Sequence, residues 1–213
     1  MNLQAKLLER FLRYVAVTSQ SNAAVKTVPT TSGQRELAEL LKTELAELGL
    51  VDLEISEFSV LTGKLPANLP AGYHVVPAVG WVAHLDTVDV CLNADIHPHV
   101  VKNYQGGDIC LNEEKQIFLK VSEHPEIEKY IGQDIVVSDG TSVLGADDKA
   151  AIANVMVALE TLANDKTIYH GDIYVCFVPD EEIGLLGAKA IDFAKFPVDF
   201  AYTIDCCEQG EVV

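Results

Sequence analysis

Apolar residues recur at helical spacing from the start of the chain. Leu3, Leu7, Leu8, Phe11, Leu12 and Val15 share one face, which predicts an amphipathic first helix. A polar stretch over 18–32 connects to a second helix, with Leu37, Leu40, Leu41, Leu45 and Leu48 on one side. Thr31 and Gln34 have the spacing of a capping box at its start, and Gly49 is placed to end it. Val51, Leu53 and Ile55 then alternate with Asp52, Glu54 and Ser56, the pattern of a half-buried strand. Residues 75–84 form a buried strand in this reading. Over 91–134, Pro98, Gly106-Gly107 and Pro125 break the chain into short β-like runs. Helical periodicity returns over 147–163, where Ile152, Val155, Met156, Leu159 and Leu162 line up. The runs 173–178 and 200–204 are short and continuously apolar, as expected of strands covered on both faces. Helices alternating with buried strands imply an α/β fold with a mostly parallel central sheet.

Composition narrows the function more than the fold. The 213 residues carry 15 Lys+Arg against 32 Asp+Glu, a net charge of −17. That balance argues against nucleic acid or an anionic membrane as partner, since both need a basic footprint. The longest nearly apolar stretch, 75–85, is too short to span a bilayer. Lys6, Glu9, Arg10 and Arg13 in the first helix exclude a secretory signal, so the expected location is cytoplasmic. Five cysteines include no CxxC pair, which disfavours a disulfide framework or a structural zinc site. Cys91, Cys110 and Cys176 are expected as small buried apolar residues.

The polar residues fall at informative places. His84-Leu85-Asp86 follows one buried strand, Pro179-Asp180-Glu181-Glu182 a second, and Asp205 a third. Ligand sites of open α/β sheets lie outside the carboxyl ends of the strands, so these groups should gather at one edge. Asp147-Asp148-Lys149 opens a helix after the Gly145-Ala146 turn; Asp148 reads as an acid favoured by the helix dipole. Several converging carboxylates repel one another unless a cation lies between them. One His with carboxylates and no thiolate cluster suits zinc, manganese or cobalt. So many acids point to two metals sharing a bridging carboxylate. His97 and His99 flank Pro98 and read as surface-loop residues. No GxSxG elbow, phosphate loop or GxGxxG follows any strand.

The segments His84-Leu-Asp86-Thr87, Leu144-Gly-Ala-Asp-Asp-Lys149 and Pro179-Asp-Glu-Glu-Ile-Gly184 closely resemble the dinuclear zinc superfamily of peptidases and acylases. The segments over 103–109 and 170–172 are similar to its tripeptide aminopeptidase branch. The resemblance implies a three-layer α/β sandwich and two Zn2+ ions. It implies His84, Asp147, Glu182 and Asp205 as metal ligands, with Asp147 bridging. It implies Asp86 as the residue that orients His84, and Glu181 as the general base. The implied reaction releases the N-terminal residue of a tripeptide. An acylase or dipeptidase, or an inactive remnant, are the alternatives. Residues 1–213 would correspond to the N-terminal part of the catalytic domain, without the lid and dimerisation domain, so a homodimer is expected only of a longer form. Cys206-Cys207 stand where the family pattern has a Gly-rich run, and Ala151 where a Gly is usual.

Overall fold

The computed structural model describes residues 2–73 and 76–205. Among the described residues three α-helices, α1 (Leu3–Val15), α2 (Ser32–Glu47) and α3 (Ala146–Asn164), accompany a five-stranded sheet. Its strands are β1 (Val51–Ile55), β2 (Leu61–Leu65), β3 (Val79–His84), β8 (Ile173–Val178) and β9 (Phe200–Thr203), ordered β1-β2-β8-β3-β9. Two further pairs are built from β4 (Pro98–Val101) with β7 (Ile135–Ser138) and from β5 (Ile109–Asn112) with β6 (Ile117–Leu119). The expected α/β architecture is present, with a mixed sheet. β3 pairs in parallel with both β8 and β9, whereas β2 runs antiparallel to β1 and β8. The strands that carry the candidate site are therefore the parallel ones, and their carboxyl ends share an edge.

β8 shows why this works. Ile173, Val175 and Phe177 point into the main core, while Cys176 and Val178 point to the opposite face. Alternation across the strand thus buries a continuous apolar run on two sides. The main core joins Phe11 and Val15 of α1, Leu37, Leu41 and Leu45 of α2, and Ile152, Met156 and Leu159 of α3 to the sheet. The opposite face is covered by Phe196, Ile191 and Val198 of the 179–199 connection. At the end of α2 the backbone amide of Leu50 donates to Leu45 and that of Gly49 to Ala46, with Gly49 at φ +87°. This is the double bond of a Schellman cap, and it requires the left-handed residue that glycine supplies.

Several expectations need correction. β9 is exposed along its length, with Phe200 and Tyr202 about half accessible, because only β3 flanks it. Cys91 and Cys110 are exposed; of the three, Cys176 alone is buried, its thiol pushed up to about 12 by burial. The capping box does not form: Thr31 makes no side-chain cap bond and its hydroxyl donates to the Gln20 carbonyl at 2.8 Å. β3 begins at Val79; Val75 lies outside the described residues, as do Cys206 and Cys207. β2, with Gly63 at its middle, has no alternation that marks it in the sequence.

Candidate metal centre

β3 delivers His84 at its last position, in register with Val178 of β8. The parallel ladder continues one residue further, the Leu85 amide donating to the Val178 carbonyl at 2.8 Å. This holds the turns after both strands side by side. Asp205 follows β9, and the Ile204 amide beside it donates to the Val82 carbonyl at 2.9 Å. Asp147 and Asp148 open α3 with non-helical backbone and a cis peptide bond between them. One ligating atom from each of His84, Asp147, Asp148 and Asp205 falls within 4.8 Å of every other.

Asp86 is fully buried and accepts three bonds. The His84 ring lies against it through Nδ1 at 3.3 Å, and the amides of Glu181 and Glu182 donate to it at 2.9 and 3.2 Å. It therefore ties the turn after β3 to the turn after β8. With Nδ1 engaged, the Nε2 of His84 is left to face Asp147, 2.8 Å from its Oδ1. Asp148 accepts the His84 backbone amide at 2.8 Å, so this carboxylate is buried under the strand end. Asp148 lies in the first turn of α3, where an acid is favoured by the helix dipole, and there it is 3% exposed.

The electrostatics are lopsided. Burial opposes charge on His84, but Asp86, Asp148 and Asp147 outweigh it and raise the imidazole to about 10. Burial pushes the Asp148 carboxyl up to about 8, against the pull of His84 and with the help of Asp205 and Asp147. Glu181 and Glu182 are both raised, first by burial, and then by Asp205, Asp86 and Asp147 for Glu181 and by Asp147 and Asp86 for Glu182. Both glutamates thus sit in the field of the cluster, although neither belongs to the tight group of four. Lys149 is fully buried beneath the site; its Nζ donates to the Val17 carbonyl at 2.8 Å, and burial lowers it to about 7 against the influence of Asp86. A group of carboxylates this crowded, with one imidazole nitrogen among them, fits a divalent cation of the zinc, manganese or cobalt class. His97 is exposed with Asp139 as its neighbour, and His124 is exposed beside Glu126, so neither joins the group.

Two features were hidden from sequence. Asp148 could not be distinguished from a helix-dipole acid, because its burial depends on the backbone path at 147–148. Gln34 and Asp180 are both fully buried and bonded to each other behind Glu181, a pairing across 146 residues that no local signal announces.

Comparison with known proteins bears on the same residues. The chain is 55% identical over 211 residues to a peptidase T-like protein of Yersinia pestis, covering 99% of this chain and 50% of that protein. It is 47% identical over 206 residues to peptidase T of Clostridium botulinum, covering 97% of this chain and 50% of the relative. The chain thus spans about half the length of the curated relatives it matches. Among solved structures, the aminopeptidase PepT of Bacillus cereus superposes with a TM-score of 0.65 at 26% identity, over 95% of this chain and 43% of that one. An aminoacylhistidine dipeptidase of Vibrio alginolyticus shares the fold, with a TM-score of 0.63 at 21% identity over 98% of this chain and 34% of that one. The profile of the M42 glutamyl aminopeptidase family matches residues 95–213, more than half of the chain, a span that holds Asp147, Asp148, Glu181, Glu182 and Asp205. The chain belongs to the M42 glutamyl aminopeptidase family.

Proposed function

We propose that these residues serve a zinc-dependent aminopeptidase that releases the N-terminal residue of tripeptides, with residues 1–213 forming the N-terminal part of its catalytic domain. The observation that carries the reading is the convergence of His84, Asp147, Asp148 and Asp205 with Glu181 and Glu182 beside them. The relatives named peptidase T support a peptidase, and the short-peptide substrate rests on the resemblance of the segments over 103–109 and 170–172 to the tripeptide aminopeptidase branch.

On this reading His84 through Nε2, Asp147, Glu182 and Asp205 would hold two Zn2+ ions. When bound, the ions would supply Lewis acidity that lowers the pKa of a water and polarises the scissile carbonyl. Asp86 keeps the proton of His84 on Nδ1 and so presents Nε2 as the donor atom. Asp148 fixes the end of β3 by accepting the His84 amide. Glu181 takes the proton of the attacking water on its carboxylate and hands it to the departing amine nitrogen. Its partly buried setting raises its pKa, which strengthens it as a base.

Hydrolysis rates on tripeptides, dipeptides and N-acyl amino acids test the assignment. The expected order puts tripeptides first, with loss of activity on chelation and recovery with Zn2+. Glu181→Gln should lower kcat by roughly a hundredfold or more. Faster cleavage of N-acyl amino acids, or a full rate in Glu181→Gln, contradicts the reading.

A further inference from the structure

Directly behind the Glu181-Glu182 turn lies a closed polar network that no part of the reaction uses. Asp180 is fully buried, and every group it offers is engaged. Its Oδ2 accepts the Thr30 amide at 2.8 Å, and its Oδ1 accepts the Thr30 hydroxyl and the Gln34 Nε2, the latter at 2.7 Å. Its own amide donates to Gln34 Oε1 at 2.8 Å, so Gln34 grips both the side chain and the backbone of one residue. Gln34 Nε2 also reaches the hydroxyls of Thr30 and Thr31. Asp180 has φ +54°, a left-handed conformation that a non-glycine residue holds only when its surroundings fix it. The next two amides, Glu181 and Glu182, both end on Asp86. The turn is thus fixed from two sides, by the start of α2 and by the strand end that bears His84.

The approach of α2 is itself close. A Cβ at Gly33 would lie 1.6 Å from the Thr18 carbonyl oxygen, so only glycine lets the helix start come near enough for Gln34 to reach Asp180. Each polar member of such a buried network is costly if left unsatisfied, and here the carboxylate and the amide of Asp180 are both engaged.

The geometry points to Gln34, Asp180 and Thr30 as positioning residues that aim the carboxylates of Glu181 and Glu182 at the His84–Asp147 cluster. The inference rests on the roles given to those two glutamates above. Gln34 acts as an adaptor: its amide nitrogen matches the carboxylate and its oxygen matches the amide of Asp180. Gln34→Glu sets two carboxylates against each other, and Asp180→Asn sets an amide nitrogen against the donors of Gln34 and Thr30. The double change Gln34→Glu/Asp180→Asn restores complementarity, because the new carboxylate accepts from both the Asn side chain and the residue 180 amide. Asn also tolerates the left-handed backbone.

The test titrates the metal-free protein with Co2+, reading affinity and visible absorption, beside thermal melting. Outer supports of metal sites are typically worth about tenfold to a hundredfold in affinity or activity. Gln34→Glu should lower Co2+ affinity by about tenfold and shift the absorption bands in the direction that Glu182→Gln shifts them. The double variant should recover both. Thr30→Val, which removes one hydroxyl, gives a milder change and serves if Gln34→Glu does not fold. Unchanged Co2+ spectra and affinity in Gln34→Glu or Thr30→Val, with only the melting temperature lowered, overturn the positioning role. A double variant no better than its parents does so too. If Glu182→Gln itself leaves the spectrum untouched, the ligand assignment of Glu182 fails instead, so the two failures are distinguishable.

Discussion

The molecule holds two groups of clustered charges, and they are built on opposite plans. Between α1, α2 and α3, Lys6, Arg10 and Arg13 interleave with Glu9, Glu44 and Glu160. Glu44 is 7% exposed and accepts from Arg10, from Arg13 at 2.7 Å and from the Tyr14 hydroxyl at 2.7 Å. Charges match one for one, each acid has a base in contact, and the cluster is complete. At the sheet edge, Asp86, Asp147, Asp148, Asp205, Glu181 and Glu182 gather around His84 with Lys149 below. There the acids outnumber the bases, and the protein answers by raising His84 and Asp148. A balanced cluster ties helices together. An unbalanced one at the carboxyl ends of parallel strands, with His84 and Asp148 buried and Asp147 and Asp205 open to solvent, fits a cation brought from outside.

The contrast can be broken by mutation. The largest expected effect is at the balanced cluster: Glu44→Ala takes the shared acceptor from Arg10, Arg13 and the Tyr14 hydroxyl and leaves Arg10 with Glu160 and the Tyr14 hydroxyl, and should cost about 3 kcal/mol in denaturant unfolding. Its metal affinity should stay that of the wild type; a change would mean the clusters are coupled. Next, Zn2+ at about a hundred times its Kd should stabilise the fold by about 2.7 kcal/mol, reversed by chelation. In His84→Ala that gain should vanish.

A pH series sharpens the comparison. In the metal-free protein Asp148 keeps its proton up to about 8, whereas in the unfolded chain it loses it near the ordinary carboxylate value. Between those limits the folded state binds more protons, so the contribution of Asp148 falls as pH rises from about 4 to 8. Asp148→Asn removes that slope. Metal-free wild type should therefore lose more stability than the variant between pH 5 and 8, and parallel curves would refute the burial argument. The smallest effect belongs to the exposed Arg13–Glu9 pair, four residues apart on α1: Glu9→Gln should cost no more than about 0.5 kcal/mol.

How much of this was legible in sequence follows from the same contrast. The positions of His84 and Asp205 after their strands could be read because a parallel sheet puts all carboxyl ends on one edge and local patterns mark where strands stop. Asp147 could be read at a helix start after the Gly145-Ala146 turn. Asp86 could be placed two residues beyond His84, but its grip on the Glu181 and Glu182 amides joins segments that only the fold brings together. The exposure of β9 was not legible, since a run such as 200–204 reads alike whether a strand is flanked on one side or two. Gln34 was misread outright. Three residues after Thr31 it imitates a helix cap, yet its amide is spent on Asp180, and long-range partners leave no mark on periodicity. The polar stretch 18–32, which looks like a plain connection, is bound along the site through Ser21, Thr87 and Ser19 backbone bonds.

The excess of carboxylates around His84 fits a divalent cation. Calorimetric titration of metal-free protein with Zn2+ at pH 7, in buffers of different ionisation enthalpy, tests it most directly. Saturable binding with net proton release is predicted, because His84 is held protonated at that pH and a cation on its Nε2 must displace that proton. Binding should be lost in Asp147→Asn, and the Glu44→Ala variant should bind as the wild type does. No saturable binding, or binding without proton release that survives Asp147→Asn, would contradict the account.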